Sequence, residues 1–517
     1  MTSTDSPVLP RVRWWPLVAI PVVTALAIAW LQMGETEDRQ RTNWVSIVTA
    51  VVGAALLLVW LLWFSRLPRG FRRGSAWTLL GALVVFLFLF RYSGMTGDLL
   101  PIFEWRWRPA PPVAVAPEGA LVPVLETVPG LEDFPQFFGP RRDGVLTGPE
   151  LDRDWEARPP EELWRIPVGA GWSGIVVAGR RAITQEQHGE DEAVVCYDVV
   201  TGQVQWVHRD AARYETPLAG LGPRATPTID GERVFVQGAT GILNCLELAT
   251  GTVLWNTNIL EDGGALLPEW GVAGSPLVRD DVVVVSAGGS NGYSLIGYDK
   301  QTGDLEWSGG DAETHWSSVV AGRLGGTEQL LIFNAREVVG HAAEDGRVLW
   351  SYPWRGGHPH VSLPLVFPGD RVLISSGYGT GSHMVRVAPG DDGRFEPIEV
   401  WSSLSMKAKF TNLVQRDGFV YGLDDGILAC VDVATGRRRW KGGRYGHGQV
   451  LLVGELLLVT TETGDVVLVD PNPEEFREVT RFSVFDHKSW NPPALAGRYL
   501  LVRTDREAAC FRLPVQQ

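Results

Sequence analysis

The chain has 517 residues, a formal net charge of −14 and no long block of Lys and Arg in its C-terminal part. This length exceeds that of a usual single domain, so two or more structural units are expected. This net negative charge argues against binding to the phosphate backbone of a nucleic acid, so no nucleic-acid partner is expected.

Three apolar stretches bounded by charged residues come first in the chain, at about 14–33, 44–64 and 76–92. The first two are about 20 residues long, which is the length that an α-helix needs to cross the hydrocarbon core of a bilayer. A buried core helix is the alternative for any one of them. Three such stretches in succession, with almost no internal charge, favour three transmembrane helices and a membrane anchor over residues 1–104.

The loops between these stretches predict an orientation. Residues 34–43 carry three acidic and two basic side chains, whereas residues 65–75 carry four arginines and no acid. The positive-inside rule places the arginine-rich loop in the cytoplasm. The N-terminus is then also cytoplasmic, and everything after the third stretch is periplasmic. The expected location is therefore the bacterial inner membrane, with the lipid bilayer as a partner of the three helices.

The composition changes after the apolar stretches. Residues 105–132 contain many Pro, Ala and Val residues and are predicted to form an extended linker. From residue 133 to residue 517, short apolar runs alternate with Gly, Asp and Pro, which is typical of an all-β domain.

A repeat ending in tryptophan predicts the architecture of this second part. Its template is apolar-x-Asp-x-x-Thr-Gly-x-x-x-Trp, and successive tryptophans are separated by 39 to 52 residues. This period suits the four-stranded blades of a β-propeller. The Asp and Gly suit a tight hairpin between the third and fourth strands, and the indole ring is predicted to fill the wedge between blades. The predicted structural tryptophans are Trp206, Trp255, Trp307, Trp350, Trp401 and Trp440.

The other strands of each repeat lead to a count of blades. Pairs of alternating runs at 224–238, 275–289, 363–377, 411–425 and 492–505 read as inner hairpins. Together with the tryptophan motifs they predict eight blades, and seven is the alternative. The eighth lacks a fourth strand of its own, which residues 163–168 would supply, closing the ring and removing its exposed edges.

The repeated Asp-x-x-Thr-Gly-x-x-x-Trp motif resembles the tryptophan-docking motif of the pyrroloquinoline-quinone (PQQ) repeat propellers. The segment FPQFFGPRRDGV at 134–145 also resembles a leader found in many bacterial members. The family includes quinoprotein alcohol dehydrogenases and the non-enzymatic lipoprotein of outer-membrane β-barrel assembly. The resemblance therefore implies a propeller fold over about 134–513, with or without the quinone cofactor.

The sequence departs from each of these two members of the family. Quinoprotein dehydrogenases typically stack the quinone against a ring formed by two adjacent bonded cysteines. Here the four cysteines are far apart, each at the third-strand position of a different blade: Cys196, Cys245, Cys430 and Cys510. They are predicted to be small buried residues that form no disulfide. The assembly lipoprotein has a lipidated cysteine near its start, whereas this chain has apolar stretches there.

The candidate ligand site is the mouth of the central channel, where the loops between successive blades converge. Aromatic and cationic side chains in these loops favour an anionic or planar ligand, through stacking and charge. The alternative is a solvated rim whose rings only cover loop ends. The candidate residues are Trp172, Arg224, Trp270, His315, Trp316, His358, His360, Lys407, Lys409, Arg444, His447, Trp490 and Asn491.

No catalytic residue and no metal site is predicted. His358 and His360 are two residues apart, but no third ligand accompanies them in the sequence. Residues 390–393, Gly-Asp-Asp-Gly, lack the spacing of a calcium loop and are predicted to form a hairpin turn.

The sequence therefore predicts a non-enzymatic binding or scaffold protein that presents a propeller to a periplasmic protein or small ligand, with no cofactor. The alternative is a membrane-bound oxidoreductase that uses PQQ and Ca²⁺ at the channel mouth without the cysteine pair.

Overall fold

The chain divides into two compact units, Met1–Ala110 and Pro111–Gln517. Most of the predicted linker lies outside the residues that the structure describes. The computed structural model describes residues 14–33, 38–108, 128–356, 359–390 and 394–516.

Helices dominate the first unit. They are α1 (Trp15–Met33), α2 (Arg39–Val59), a π-helical turn (Trp60–Phe64) that continues α2, and α3 (Arg69–Leu89). All three long helices are long and apolar enough to cross a membrane. Gly53 of α2 lies against the Thr24 side chain of α1, and the Gln32 side chain donates to Asn43 Oδ1 at 2.9 Å. Small residues and side-chain hydrogen bonds of this kind are typical of helix contacts inside a bilayer.

The third helix differs from the predicted span in both of its bounds. It begins directly after Pro68, which has no backbone N–H to donate to an earlier turn, and it ends at Leu89. Residues Phe90–Met95 instead pair antiparallel with Pro101–Trp105. The alternating aromatic and polar side chains of this segment have the period of a strand, and Arg91 lies 3.8 Å from Glu104 across the pair.

The second unit is a β-propeller, and its sheets confirm the predicted eight blades of four strands. From the inside outward, the strands of blades 1 to 4 are Val176–Ala178, Arg181–His188, Asp191–Asp198 and Val204–Asp210; Thr228–Asp230, Arg233–Gln237, Ile242–Glu247 and Val253–Asn258; Leu277–Arg279, Val282–Ser286, Leu295–Asp299 and Leu305–Gly309; Val320–Leu324, Thr327–Phe333, Glu337–Ala342 and Val348–Pro353. The strands of blades 5 to 8 are Leu365–Phe367, Arg371–Ser376, Gly381–Pro389 and Phe395–Ser403; Val414–Arg416, Phe419–Asp424, Ile427–Asp432 and Arg438–Arg444; Gln449–Val453, Leu456–Thr460, Asp465–Asp470 and Arg477–Ser483; Ala494–Ala496, Tyr499–Arg503, Glu507–Arg512 and Glu161–Pro167.

Short elements accompany the blades. Val145–Leu146 adds a parallel strand inside blade 7. Glu215–Thr216 and Gly220–Leu221 form a small hairpin between blades 1 and 2, and the helix Ile259–Asp262 follows blade 2.

The ring closes as the sequence predicts. Glu161–Pro167 pairs antiparallel with Glu507–Arg512 and becomes the outer strand of blade 8. Blade 8 thus combines the two ends of the propeller sequence, and its third strand, Glu507–Arg512, is paired on both sides.

The leader that precedes this strand lies inside the ring. The backbone N–H of Phe134 donates to Val177 O of blade 1 at 2.8 Å, and Ile229 of blade 2 donates to Pro135 O at 2.7 Å. The buried Arg142 guanidinium donates to Pro276 O, beside the inner strand of blade 3, at 2.8 Å, and burial lowers the pKa of Arg142 to about 9. The leader therefore ties together the inner strands of several blades.

The tryptophan motif joins neighbouring blades. Trp206 of blade 1 donates its indole N–H to Leu248 O of blade 2 at 3.1 Å, and its ring covers Gly251. Gly251 has a φ of +72°, so glycine is favoured there by the backbone as well as by the ring. The same pairing recurs as Trp164 with Gly202, Trp255 with Gly303, Trp307 with Gly346 and Trp401 with Gly436.

Two tryptophans of the series have other partners. Trp350 donates to Gln329 Oε1 of its own blade at 2.6 Å, and Trp440 donates to Asn472 O of blade 7 at 2.7 Å. Blade 7 has the sequence Pro-Asn-Pro where blades 1, 2, 3 and 6 have Thr-Gly. The four cysteines are buried and unpaired, which confirms the prediction made for them.

Candidate functional site at the channel mouth

One face of the propeller carries both the loops between blades and the turns between the second and third strands. The predicted mouth residues lie in or next to these loops, apart from His358, which lies outside the described residues. They form two aromatic clusters and a group of ion pairs. Each is held in place by contacts within the protein.

The first cluster joins the loops that enter blades 6, 7, 8 and 1. The ring centroids of Trp172 and Trp490 are 5.0 Å apart, and Phe410 lies 5.6 Å from Trp490 and 5.3 Å from His447. Lys488 places its Nζ 3.9 Å from the centroid of Trp490 and 4.7 Å from that of Trp172. The faces of these two indoles are therefore in contact with an ammonium group.

The second cluster joins the loops that enter blades 3, 4 and 5. The Trp316 ring contacts Trp270 edge-on at 6.1 Å and His315 at 4.6 Å. His360 is buried and stacks on Phe333, with centroids 4.2 Å apart. The backbone N–H of His360 donates to His315 Nδ1 at 3.2 Å, and burial, together with the nearby His360, lowers the pKa of His315 to about 3. A histidine that is neutral at physiological pH cannot supply the charge expected for an anionic ligand.

The two lysines predicted at the mouth are paired with buried carboxylates. Lys407 Nζ lies 2.7 Å from Asp424 Oδ1, and Lys441 Nζ lies 2.6 Å from Asp424 Oδ2. Lys409, which is fully buried, lies 2.9 Å from Asp425 Oδ1. These charges stabilise each other in a site of low dielectric, so they are not available to a ligand from solvent.

The remaining predicted residues bind backbone groups or lie at the edge. Arg224 donates to Gly220 O at 3.1 Å and covers the Tyr214 ring, and burial lowers the pKa of Arg224 to about 10. Asn491 donates to Gly171 O at 3.0 Å and to Ser173 O at 2.8 Å. Arg444 is exposed at the end of blade 6.

Several important residues of the mouth were missed by sequence reasoning. Phe410 and Lys488 complete the first cluster, and Glu462 accepts from the Trp490 indole at 2.9 Å. Lys488 stands two positions before Trp490, which is the signal that could have identified it. Phe410 gives no such signal, because it stands 80 positions before Trp490 and the two rings meet only when blades 6 to 8 fold next to one another.

An exposed apolar loop also lies on this face, between blades 2 and 3. The side chain of Leu266 is 92% exposed and that of Leu267 is 48% exposed. The loop is fixed at its base, where the Tyr214 hydroxyl donates to Pro268 O at 3.0 Å and to Glu269 O at 2.5 Å. Adjacent exposed apolar side chains on an anchored loop can contribute to a protein-binding surface.

Two features of the mouth differ from the quinone site that the family resemblance implies. Lys488 covers Trp172 and Trp490, and His315 packs against Trp316, so each of these rings already contacts another side chain. The family's pair of adjacent cysteines is also replaced by four separate buried thiols.

One group of side chains has the composition of a metal site. Asp486, His487 and Glu507 have ligand atoms within 4.8 Å of one another. However, His487 Nδ1 lies 2.8 Å from Asp486 Oδ1, and His487 Nε2 lies 2.8 Å from Thr504 Oγ1. Both ring nitrogens thus have hydrogen-bond partners within the protein, and the group is satisfied without an ion.

Comparison with known proteins agrees with this architecture. The sequence matches the family described as outer membrane protein assembly factor BamB over residues 153–267 and 267–442, which is more than half of the chain. The chain belongs to the BamB family. The assembly factor BamB of Burkholderia pseudomallei (strain K96243) is 22% identical over an alignment of 248 residues, which covers 45% of this chain and 59% of that protein. The chain thus spans about three fifths of the length of this BamB relative.

Solved structures show the same fold. BamB from Moraxella catarrhalis is 15% identical and superposes with a TM-score of 0.50 over 69% of this chain and 99% of that one. A europium-containing methanol dehydrogenase is 12% identical and superposes with a TM-score of 0.55 over 75% of this chain and 99% of that one. The BamB family and an enzyme therefore share this propeller, and the fold does not decide between binding and catalysis.

Proposed function

We propose that this chain is a non-enzymatic scaffold of the bacterial cell envelope that binds a partner protein through the mouth face of its propeller. Membership of the BamB family supports a binding role. The three apolar helices support anchoring in the inner membrane, with the arginine-rich segment 65–75 in the cytoplasm and the propeller in the periplasm.

The observation that carries this proposal is the contrast between two parts of the mouth. Several of its charged groups, such as Lys407 and Asp424, are paired with one another and buried. Its exposed side chains include the apolar Leu266 and Leu267. Catalysis needs polar groups that reach a substrate, whereas protein docking needs apolar side chains that lose contact with water on binding. The exposed loop meets the second requirement.

Photocrosslinking tests this docking site. A photoreactive amino acid at position 266, in the full-length chain in living cells, is expected to give a discrete protein adduct. The same amino acid at position 398 is the control, because Ile398 is 49% exposed on the outer strand of blade 5. Leu267→Asp should reduce the adduct from position 266 by about tenfold, since a charge in an apolar interface costs more than about 1.4 kcal/mol. Equal adducts from both positions, unaffected by Leu267→Asp, would exclude this loop as the docking surface.

A further inference from the structure

The two indole rings of Trp172 and Trp490 form a clamp around an ammonium group. Their centroids are 5.0 Å apart and their planes meet at 45°, which opens a wedge. Lys488 Nζ lies within 5 Å of both centroids. We propose that this two-tryptophan clamp is a binding site for a quaternary alkylammonium group, and that Lys488 occupies it as an internal competitor.

Both walls of the clamp are fixed by polar contacts of their own. The Trp172 indole donates to Ala219 O, and the Trp490 indole donates to Glu462 Oε1 at 2.9 Å. Donation to a carboxylate draws positive charge away from the Trp490 ring and makes its face a better partner for a cation. Phe410 packs against Trp490 at 5.6 Å and holds it from the side of blade 6. The rings are therefore positioned independently of Lys488.

The chemistry of the clamp favours a quaternary over a primary ammonium. A lysine ammonium is compact and strongly hydrated, and it gives up much of its water when it lies against two rings. A quaternary ammonium is weakly hydrated and presents methyl groups to the indole faces. Aromatic cages are the usual recognition sites of such cations in proteins.

Lys488 weakens binding because it is tethered next to the clamp. A group on a short flexible tether competes with an effective concentration on the order of millimolar. Removing the ammonium should therefore tighten the binding of an added cation. This inference goes beyond the scaffold role and is independent of it, since the clamp and the loop with Leu266 are different parts of the mouth.

Calorimetric titration of the full-length chain in maltoside detergent with tetramethylammonium tests the inference. Lys488→Ala is expected to bind it about tenfold or more tightly than the wild type, because the competitor is gone. Lys488→Arg is the matched control, since it keeps a cation over the rings and should stay weak. Adding Trp490→Leu to Lys488→Ala should abolish binding, with unchanged circular dichroism as evidence of folding.

The source of the ammonium is distinguished in a second arm. A free solute and a lipid headgroup share this chemistry, so choline is compared with a short-chain phosphatidylcholine below its micelle concentration. Tighter binding of choline than of the lipid assigns the clamp to a free solute, and tighter binding of the lipid assigns it to a headgroup. Equal affinity of Lys488→Ala and Lys488→Arg for tetramethylammonium, or binding that survives Trp490→Leu, would overturn the proposal.

Discussion

Replacing Arg503 with alanine is expected to lower the free energy of unfolding of the propeller by about 3–5 kcal/mol, because it leaves a buried charge without its partner. Arg503 is 1% exposed and lies at the seam between blade 8 and blade 1. Its guanidinium donates to Thr184 Oγ1 at 2.7 Å, Gln185 O at 2.8 Å and Gly169 O at 2.9 Å. These bonds join the strand Tyr499–Arg503 to residues from the start of the propeller.

The charge that Arg503 balances belongs to Glu186. This carboxylate is fully buried and accepts from the Tyr197 hydroxyl and from the Gly169 N–H, each at 2.6 Å. Burial alone would raise the pKa of Glu186, but the hydrogen bond with His188, the charge of Arg503 and the bond from Tyr197 together lower it below its usual value.

Chemical denaturation followed by circular dichroism measures the effect of Arg503→Ala. The control is Arg477→Ala, which removes a largely exposed guanidinium 3.9 Å from Asp470 and should change the free energy by less than about 0.5 kcal/mol. Arg503→Ala combined with Glu186→Gln should recover part of the loss. A change below about 1 kcal/mol for Arg503→Ala alone would show that the seam does not depend on this charge.

The same variant has a predicted pH dependence. A carboxyl group whose pKa is lower in the folded state adds stability above its unfolded pKa, and this stability is lost as the pH falls through the folded pKa. Glu186 is such a group in the wild type. The difference in unfolding free energy between the wild type and Arg503→Ala should therefore shrink on acidification, and it should be smallest below the folded pKa of Glu186 in the wild type, where this carboxyl group is neutral in both proteins.

Replacing Trp255 with alanine is expected to destabilise the propeller by about 3–5 kcal/mol, because a large buried ring is removed between two blades. Trp255 is 8% exposed, lies 6.0 Å from the Phe235 ring and donates to Lys300 O of blade 3 at 3.1 Å. If Gly303 were replaced by alanine, the added methyl carbon would lie 2.7 Å from Cδ2 of Trp255. Gly303→Ala should therefore also destabilise, by steric overlap with the ring.

A matched glycine separates this overlap from backbone strain. Gly303 and Gly231 both have positive φ, of +79° and +58°, but a methyl group on Gly231 would meet no atom within 4 Å. Gly231→Ala should cost only the strain of a left-handed residue, about 1–2 kcal/mol. Gly303→Ala should cost more than this, and the excess should disappear in combination with Trp255→Ala. Equal costs for the two alanines would mean that the ring does not dock on Gly303.

The local features of the fold could be predicted from sequence, and the contacts across the ring could not. The hairpin that ends in Trp206 was predictable because its contacts lie within one short segment. Asp198 accepts from Thr201 N at 2.8 Å, and Gly202 supplies the positive φ. The replacement of the end of the third span by a strand was missed, because its partner strand begins only at Pro101.

For the candidate site, too, the residues could be predicted from sequence but their contacts could not. The loops of the mouth follow from the count of blades, so their residues could be named in advance. What those residues contact depends on closure of the ring: Trp172 and Lys488 meet although more than 300 positions separate them. The buried Arg142 was not predicted either, because the leader reads as a loop in sequence and its place inside the ring is set by the inner strands.

The location of the propeller is the claim on which its role as an envelope scaffold depends most directly. Alkaline phosphatase, which is active only outside the cytoplasm, can be fused after residue 517 and, in a second version, inserted near Arg69 at the start of α3. Three crossings with the arginine-rich segment inside predict high activity for the first fusion and none for the second. An inactive C-terminal fusion together with an active insertion near Arg69 would place the propeller in the cytoplasm and contradict the proposed function.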